Sequence, residues 1–300
     1  MAVKTWTKNL IVVCLTTAIL YYLYAKHDIS ATFRILVGVN PYIILLTIAL
    51  SFLIMIIRAE RWRLLLSSMN LHLSLKESYH ISMASVPFWL VSPSTSGDLV
   101  KSYYLKDRMK MATTAGTVIS ENIFDLACLA ILAGIGSIFY FNPVNAILSA
   151  LIIISSVIFM LLTVWKPKKI AASVLWRKIS AVLKPLENSV RNPSLFLKLS
   201  AITMVNWIIS MAQIYLFFKA LEVNVPFFFT IANIQAAILA GMIPITLGGM
   251  GTRDAAIVAL FSGYASPGTL LGIGILFTAI RIGVLAAAGV FHMLWFHLRR

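Results

Sequence analysis

Pro93-Ser94-Thr95-Ser96-Gly97-Asp98 and Pro244-Ile245-Thr246-Leu247-Gly248-Gly249-Met250-Gly251-Thr252-Arg253-Asp254 are charged, glycine-containing interruptions in a chain that otherwise reads as membrane-spanning hydrocarbon. Irregular backbone at membrane depth leaves N–H and C=O groups that lipid cannot satisfy, so it persists only when buried in protein or lining a wet cavity. A fresh helical pattern follows each interruption, and paired breaks of this kind point to a transporter-type binding site.

Outward from the breaks, the composition places the 300-residue chain in a bilayer. Hydrophobic residues make up 60% and charged residues only 12%, with a mean hydropathy of +0.91; a soluble domain this apolar would aggregate. Apolar stretches at 9–25, 41–57, 115–141, 144–165, 198–218 and 268–296 reach or approach the roughly 20 residues a span requires, which predicts six full spans. Shorter pieces at 79–91, 99–108, 227–243 and 254–264 meet at the breaks and predict two re-entrant helical hairpins. The expected fold class is an all-α polytopic membrane protein. It forms a single transmembrane domain over 1–300, with halves at about 1–165 and 198–300 joined by a basic linker at 166–197. The first apolar stretch follows Lys4 and Lys8 and ends in Tyr21-Tyr22-Leu23-Tyr24 without a small-residue cleavage pattern, so it reads as a retained anchor.

With the N-terminus inside, twenty of the 25 Lys and Arg residues fall on the cytoplasmic side, Arg58, Arg61 and Lys101 among them. Lys26, Arg34 and Lys219 fall outside, and Arg253 and Arg281 lie within the membrane. The positive-inside rule demands such an asymmetry, so both termini and the linker are expected in the cytoplasm and the protein in the cell's inner membrane. The net charge of +15 is carried by membrane-edge loops, which makes anionic membrane lipids the expected counter-charge and argues against nucleic acid. Amphipathic spacing around Val174-Leu175, Ile179 and Val182-Leu183 predicts that the linker holds a helix lying on the inner leaflet. In this layout the first hairpin opens to the cytoplasm and the second outward, an inverted repeat suited to alternating access.

Five ionisable residues are expected at depth: Glu121, Asp125, Arg253, Asp254 and Arg281. At roughly 2.5–3.5 kcal/mol each they must pair or meet water. Glu121 and Asp125 are four apart, so both carboxylates project from one helix face, and Arg253 or Arg281 are their expected partners. Each break also starts a helix whose free N–H groups point into the gap, a site for phosphate or carboxylate. Ser94, Thr95, Ser96 and Gly97 with Asp98 and Lys101 on one side, and Gly248, Gly249 and Gly251 with Arg253 and Asp254 on the other, are the candidate substrate-binding residues, together with Glu121, Asp125 and Arg281. The bland alternative is that these charges are salt bridges holding helix register.

Other motifs carry little. Gly248-Gly249-Met250-Gly251 is no P-loop, because no Gly-Lys-Ser/Thr follows, and no dinucleotide fingerprint, because no strand precedes it. Gly272, Gly274 and Gly283 suit close helix packing. Cys14 and Cys128 have no metal-type spacing. No paired Ser/His/Asp or Cys/His set stands out, so neither a catalytic role nor a metal or cofactor is expected.

At these same residues the chain resembles the lysylphosphatidylglycerol synthase transmembrane family, the flippase-domain family of multiple peptide resistance factors. The matching stretches are Arg58-Ala59-Glu60-Arg61-Trp62, Pro93 to Lys101, Glu121 with Asp125, Gly248 to Asp254, and Thr278-Ala279-Ile280-Arg281. The resemblance implies a protein that moves or handles lipids, lipid-linked sugars or hopanoid-like molecules, with two hairpins enclosing a headgroup cavity. Thr95 stands where the family often has Arg, and Asp98 and Asp254 where Glu is usual. The expected function is a flippase-type transporter of a phospholipid or polyprenyl-phosphate-linked lipid. An accessory component of a membrane glycosyltransferase system and a lipid-modifying enzyme with Glu121 or Asp125 as base remain alternatives, and self-association into a homo-oligomer is left open.

Overall fold

The computed structural model describes residues 13–14, 16–22, 38–139, 143–164, 174–243 and 245–298. The expected positions of both chain termini, of Lys26 and Arg34, of Pro244 and of the linker over 166–173 lie outside the described residues, as do the side chains of Ser94 and Thr95.

Regular structure among the described residues is helical. Helix α1 (Pro41–Ser67) opens on Asn40, whose Oδ1 accepts from the Tyr42 N–H while Pro41 sets the first turn. Asparagine and proline at those positions satisfy an orphan donor and fix φ. Then come α2 (Leu75–Ser85), α3 (Pro87–Val91), a 3₁₀ turn at Ser94–Val100 and α4 (Lys101–Tyr104), which together form the first hairpin and break. Helix α5 (Met111–Phe139) and α6 (Pro143–Val164) follow, and α7 (Val174–Arg191) leads to the second half.

The second half repeats the element order. Helix α8 (Pro193–Ala220) again starts on Asn-Pro, with Asn192 Oδ1 accepting from the Leu195 N–H. Helix α9 (Phe227–Met242), the second break and α10 (Thr252–Phe261) form the other hairpin. The last long helix comprises α11 (Pro267–Leu276), a π turn (Phe277–Val284) and α12 (Leu285–Leu298). α1 packs on α8 and α5 on α9, so the halves interleave.

Four helices among the described residues are long and apolar enough to cross a membrane: α1, α5, α8 and the α11–α12 unit. At 1.5 Å per residue the 27 residues of α1 reach about 40 Å, more than the ~30 Å hydrocarbon core. Of the other two expected spans, 9–25 is described only in part, and α6 is a 22-residue helix over Pro143–Val164.

The two break tips meet. The Gly248 N–H donates to the Ser92 carbonyl at 3.2 Å, and Pro93 and Leu247 form an isolated antiparallel bridge. Thr16 of the first apolar stretch accepts from the Leu247 N–H at 2.9 Å, placing that stretch against the second break. The buried apolar core runs from α5 through α8 and α9 to α10 and α11, around Leu129, Phe217, Phe218, Phe261, Leu270 and Ile273. Helix α7 packs on α5 and α6; Gly116 has no Cβ, which admits the Val182 backbone carbonyl beside it.

Candidate functional site

The first break is held by side-chain charge. Asp98 is buried and takes Arg58 Nη2 at 2.7 Å, Ser85 Oγ at 2.9 Å and Lys101 Nζ at 3.3 Å. Lys101 also reaches Glu121 Oε2 at 3.3 Å and lies over the Trp62 ring at 5.1 Å. Arg61 closes the chain. Its Nε donates to Glu121 at 3.2 Å, and its two terminal nitrogens grip Asp125 at 2.6 and 2.9 Å. Thr203 and Trp207 of α8 complete the shell, Thr203 accepting from Arg61 at 3.0 Å and Trp207 Nε1 donating to Asp125 at 2.9 Å.

This corrects the pairing expected from sequence. Glu121 and Asp125 do share one face of α5, but their partners are Arg61 and Lys101 rather than Arg253 or Arg281. Arg61 and Lys101 are each 1% exposed, so neither is a membrane-edge cation. Arg58, 13% exposed at its side chain, joins them. A guanidinium that forks onto one carboxylate and reaches a second is the geometry for which Arg is suited over Lys.

The second break is built from backbone. Gly248, Gly249 and Gly251 all have positive φ, at +56°, +72° and +93°. A Cβ on Gly249 would stand 2.6 Å from the Gly241 carbonyl oxygen, so the close turn requires glycine. Asp254 caps its own helix, accepting from the Gly251 N–H at 3.0 Å through Oδ2. Its Oδ1 takes Arg253 Nε at 3.0 Å and Nη2 at 2.7 Å. Arg253 Nη2 also reaches Thr278 Oγ1 at 2.7 Å. The start of α10 therefore receives a carboxylate from within the protein, which corrects the expectation of free N–H groups open to a ligand. After the first break stands only a 3₁₀ turn, with Ser96 Oγ donating to the Pro93 carbonyl at 2.7 Å and Gly97 buried against the Phe88 backbone.

Between the breaks lies a cavity of about 110 Å³, lined by residues of both hairpins and of all four long helices. Arg58, Asp125, Arg253 and Arg281 are its charged lining. Trp89 comes from the first hairpin, Trp207 from α8, and Phe277 from the π turn that also carries Arg281. The cations sit over these rings: Arg58 over Trp89 at 4.9 Å, Arg253 over Phe277 at 4.1 Å, and Arg281 over Phe277 at 5.2 Å and Trp207 at 5.9 Å.

Arg281 differs from the other cations. It donates to Ser210 Oγ at 2.9 Å and to Gln213 Oε1 at 3.4 Å, both neutral, and no described carboxylate is ion-paired with it. Two further donors of lining residues, Arg58 Nε and Trp89 Nε1, are buried without a hydrogen-bond partner. An aromatic-walled cavity with one guanidinium that lacks an ion-pair partner is an environment for an anion.

Of the residues singled out from sequence, Asp125, Gly248, Arg253 and Arg281 line this cavity. Asp98, Lys101, Glu121 and Asp254 support it through ion pairs, Gly249 and Gly251 shape the turn, and Gly97 and Ser96 serve the first break itself. Arg58, Arg61, Trp89, Trp207 and Phe277 were not among the candidates. Two signals bore on Arg58 and Arg61: the family resemblance at Arg58 to Trp62, and their i, i+3 spacing, which places them together on one helix face.

The fold and site define a polytopic helical membrane protein with broken helices around a buried cationic cavity. The family described as the lysylphosphatidylglycerol synthase TM region matches residues 9–289, and the chain belongs to it. A UPF0104 membrane protein of Methanothermobacter thermautotrophicus is 23% identical, over 84% of each chain.

Proposed function

We propose that the chain is a flippase-type lipid transporter whose cavity takes an anionic headgroup between two re-entrant hairpins. The observation that supports this best is Arg281: a buried cation, without an acid of its own, facing a cavity that both breaks share. Transport requires binding and two conformations. The order of long helix, broken segment and long helix in each half supports a reading as two inverted halves that rock around one site. An enzymatic role for Glu121 or Asp125 is disfavoured, since both acids are tied up in ion pairs with Arg61 and Lys101. The protein would sit in the inner membrane with both termini cytoplasmic and its exposed basic loops against anionic lipid.

Reconstituted vesicles test this. Fluorescent anionic phospholipid should cross in parent vesicles, and Arg281→Gln should slow the crossing about tenfold or more while the protein remains folded. In intact cells an impermeant thiol reagent should label Glu222→Cys and not Asp107→Cys. Parent-rate translocation by Arg281→Gln, or labelling of the second position, would refute the corresponding part of the reading.

A further inference from the structure

We infer that the cavity selects a headgroup bearing one net negative charge and no amine, namely a phosphodiester, and that the count of buried charges is the selector. The inference rests on the reading of the cavity as a headgroup site. Among the described residues around the two breaks the buried cations are Arg61, Lys101, Arg253 and Arg281, with the half-buried Arg58 beside them, and the buried acids are Asp98, Glu121, Asp125 and Asp254. Every acid is ion-paired with a cation other than Arg281. One positive charge is therefore left over, and it faces the cavity on Arg281.

A monoanion brings this buried set to neutrality. A dianion, such as a phosphomonoester or a pyrophosphate, would leave a negative charge among walls that include Ile238, Met242 and Ile282, where an unpaired ion is strongly disfavoured. The donors suit a diester as well. Its two non-bridging oxygens are acceptors only, and the Arg281 guanidinium that lines the cavity offers N–H groups.

A headgroup amine would meet a single described acid at the cavity, and that acid is already ion-paired. Asp125 is the only described acid lining the cavity, and its Oδ1 already receives Arg61 and Trp207 while its Oδ2 receives Arg61. Both oxygens of Asp254 are likewise in use. The rings of Trp89, Trp207 and Phe277 that could hold a cation by their faces already carry arginines. A choline or lysyl ester would add positive charge to a site already in excess.

The test is lipid retention by the purified full chain, read by native mass spectrometry at about pH 8, above the second ionisation of a phosphate monoester near 6. The probes are phosphatidylglycerol, phosphatidylcholine, phosphatidic acid and lysyl-phosphatidylglycerol, with inorganic phosphate as a competitor. Phosphatidylglycerol should be retained about tenfold or more over each of the other three. Inorganic phosphate should not displace it, and Arg281→Gln, which removes the charge but keeps a hydrogen-bonding side chain, should erase the preference. Equal retention of phosphatidic acid or the lysyl ester, still dependent on Arg281, would overturn the charge selection while leaving an anion site in place. Displacement by inorganic phosphate would reassign the site to a soluble anion. Retention indifferent to Arg281→Gln would remove both the selection and the headgroup site.

Discussion

The two breaks answer the same problem, irregular backbone at depth, by different means. The first is fixed by side chains: Asp98 is held by Arg58, Lys101 and Ser85, and through Lys101 and Glu121 it is joined to Arg61 and Asp125. The second is fixed by glycine backbone and a self-capping aspartate, with Arg253 the partner of Asp254. The first network is balanced, three cations to three acids, whereas the second half, once Arg253 and Asp254 have paired, holds the unpaired Arg281. Buried charge thus serves two ends in one molecule. Where acids match cations it fixes helices, and where one cation remains it leaves a place for a ligand.

The largest effect should come from the balanced side. Arg61→Ala strands Glu121 and Asp125 in the interior and should cost about 3–5 kcal/mol, read as loss of unfolding midpoint in detergent. Survival of the parent midpoint would mean the network is not what holds α1 to α5. On the backbone side, Gly249→Ala sets a Cβ against the Gly241 carbonyl at a positive φ, a strain of about 1–3 kcal/mol by the same measurement. The smallest stability change is expected at Arg281. Arg281→Met removes an uncompensated charge and should leave the midpoint unchanged or slightly raised while abolishing headgroup retention. A large destabilisation there would erase the distinction between the two halves and make Arg281 another structural staple.

Sequence reading reached the class of protein and the two breaks in its helices, because hydropathy and glycine-bearing interruptions are local signals. Asp125, Arg253 and Arg281 stood out for the same reason: a charge inside an apolar run is conspicuous. Arg58 and Arg61 did not. They follow an apolar stretch ending at residue 57, where a cation reads as a headgroup contact, yet α1 continues through Ser67 and carries both inward. Their partners are 40 to 64 residues away in the chain, so the pairing is a tertiary fact that no spacing rule encodes. The aromatic lining was hidden for a plainer reason, since Trp and Phe are common in apolar helices and nothing local marks which of them faces a cavity. Asp254 at the third position of α10 was legible as a cap, and that reading would have closed the helix start to a ligand.

The lone charge of Arg281 has an electrical consequence. An empty cavity carrying a surplus positive charge feels the transmembrane voltage, at about 2.3 kcal/mol per elementary charge for each 100 mV it traverses. Once a monoanion is seated, the same cavity is neutral and the voltage has no net charge to act on. On the proposed reading, membrane potential biases the empty site and leaves the loaded one alone, which would tie the return half of a transport cycle to the energised state of the cell.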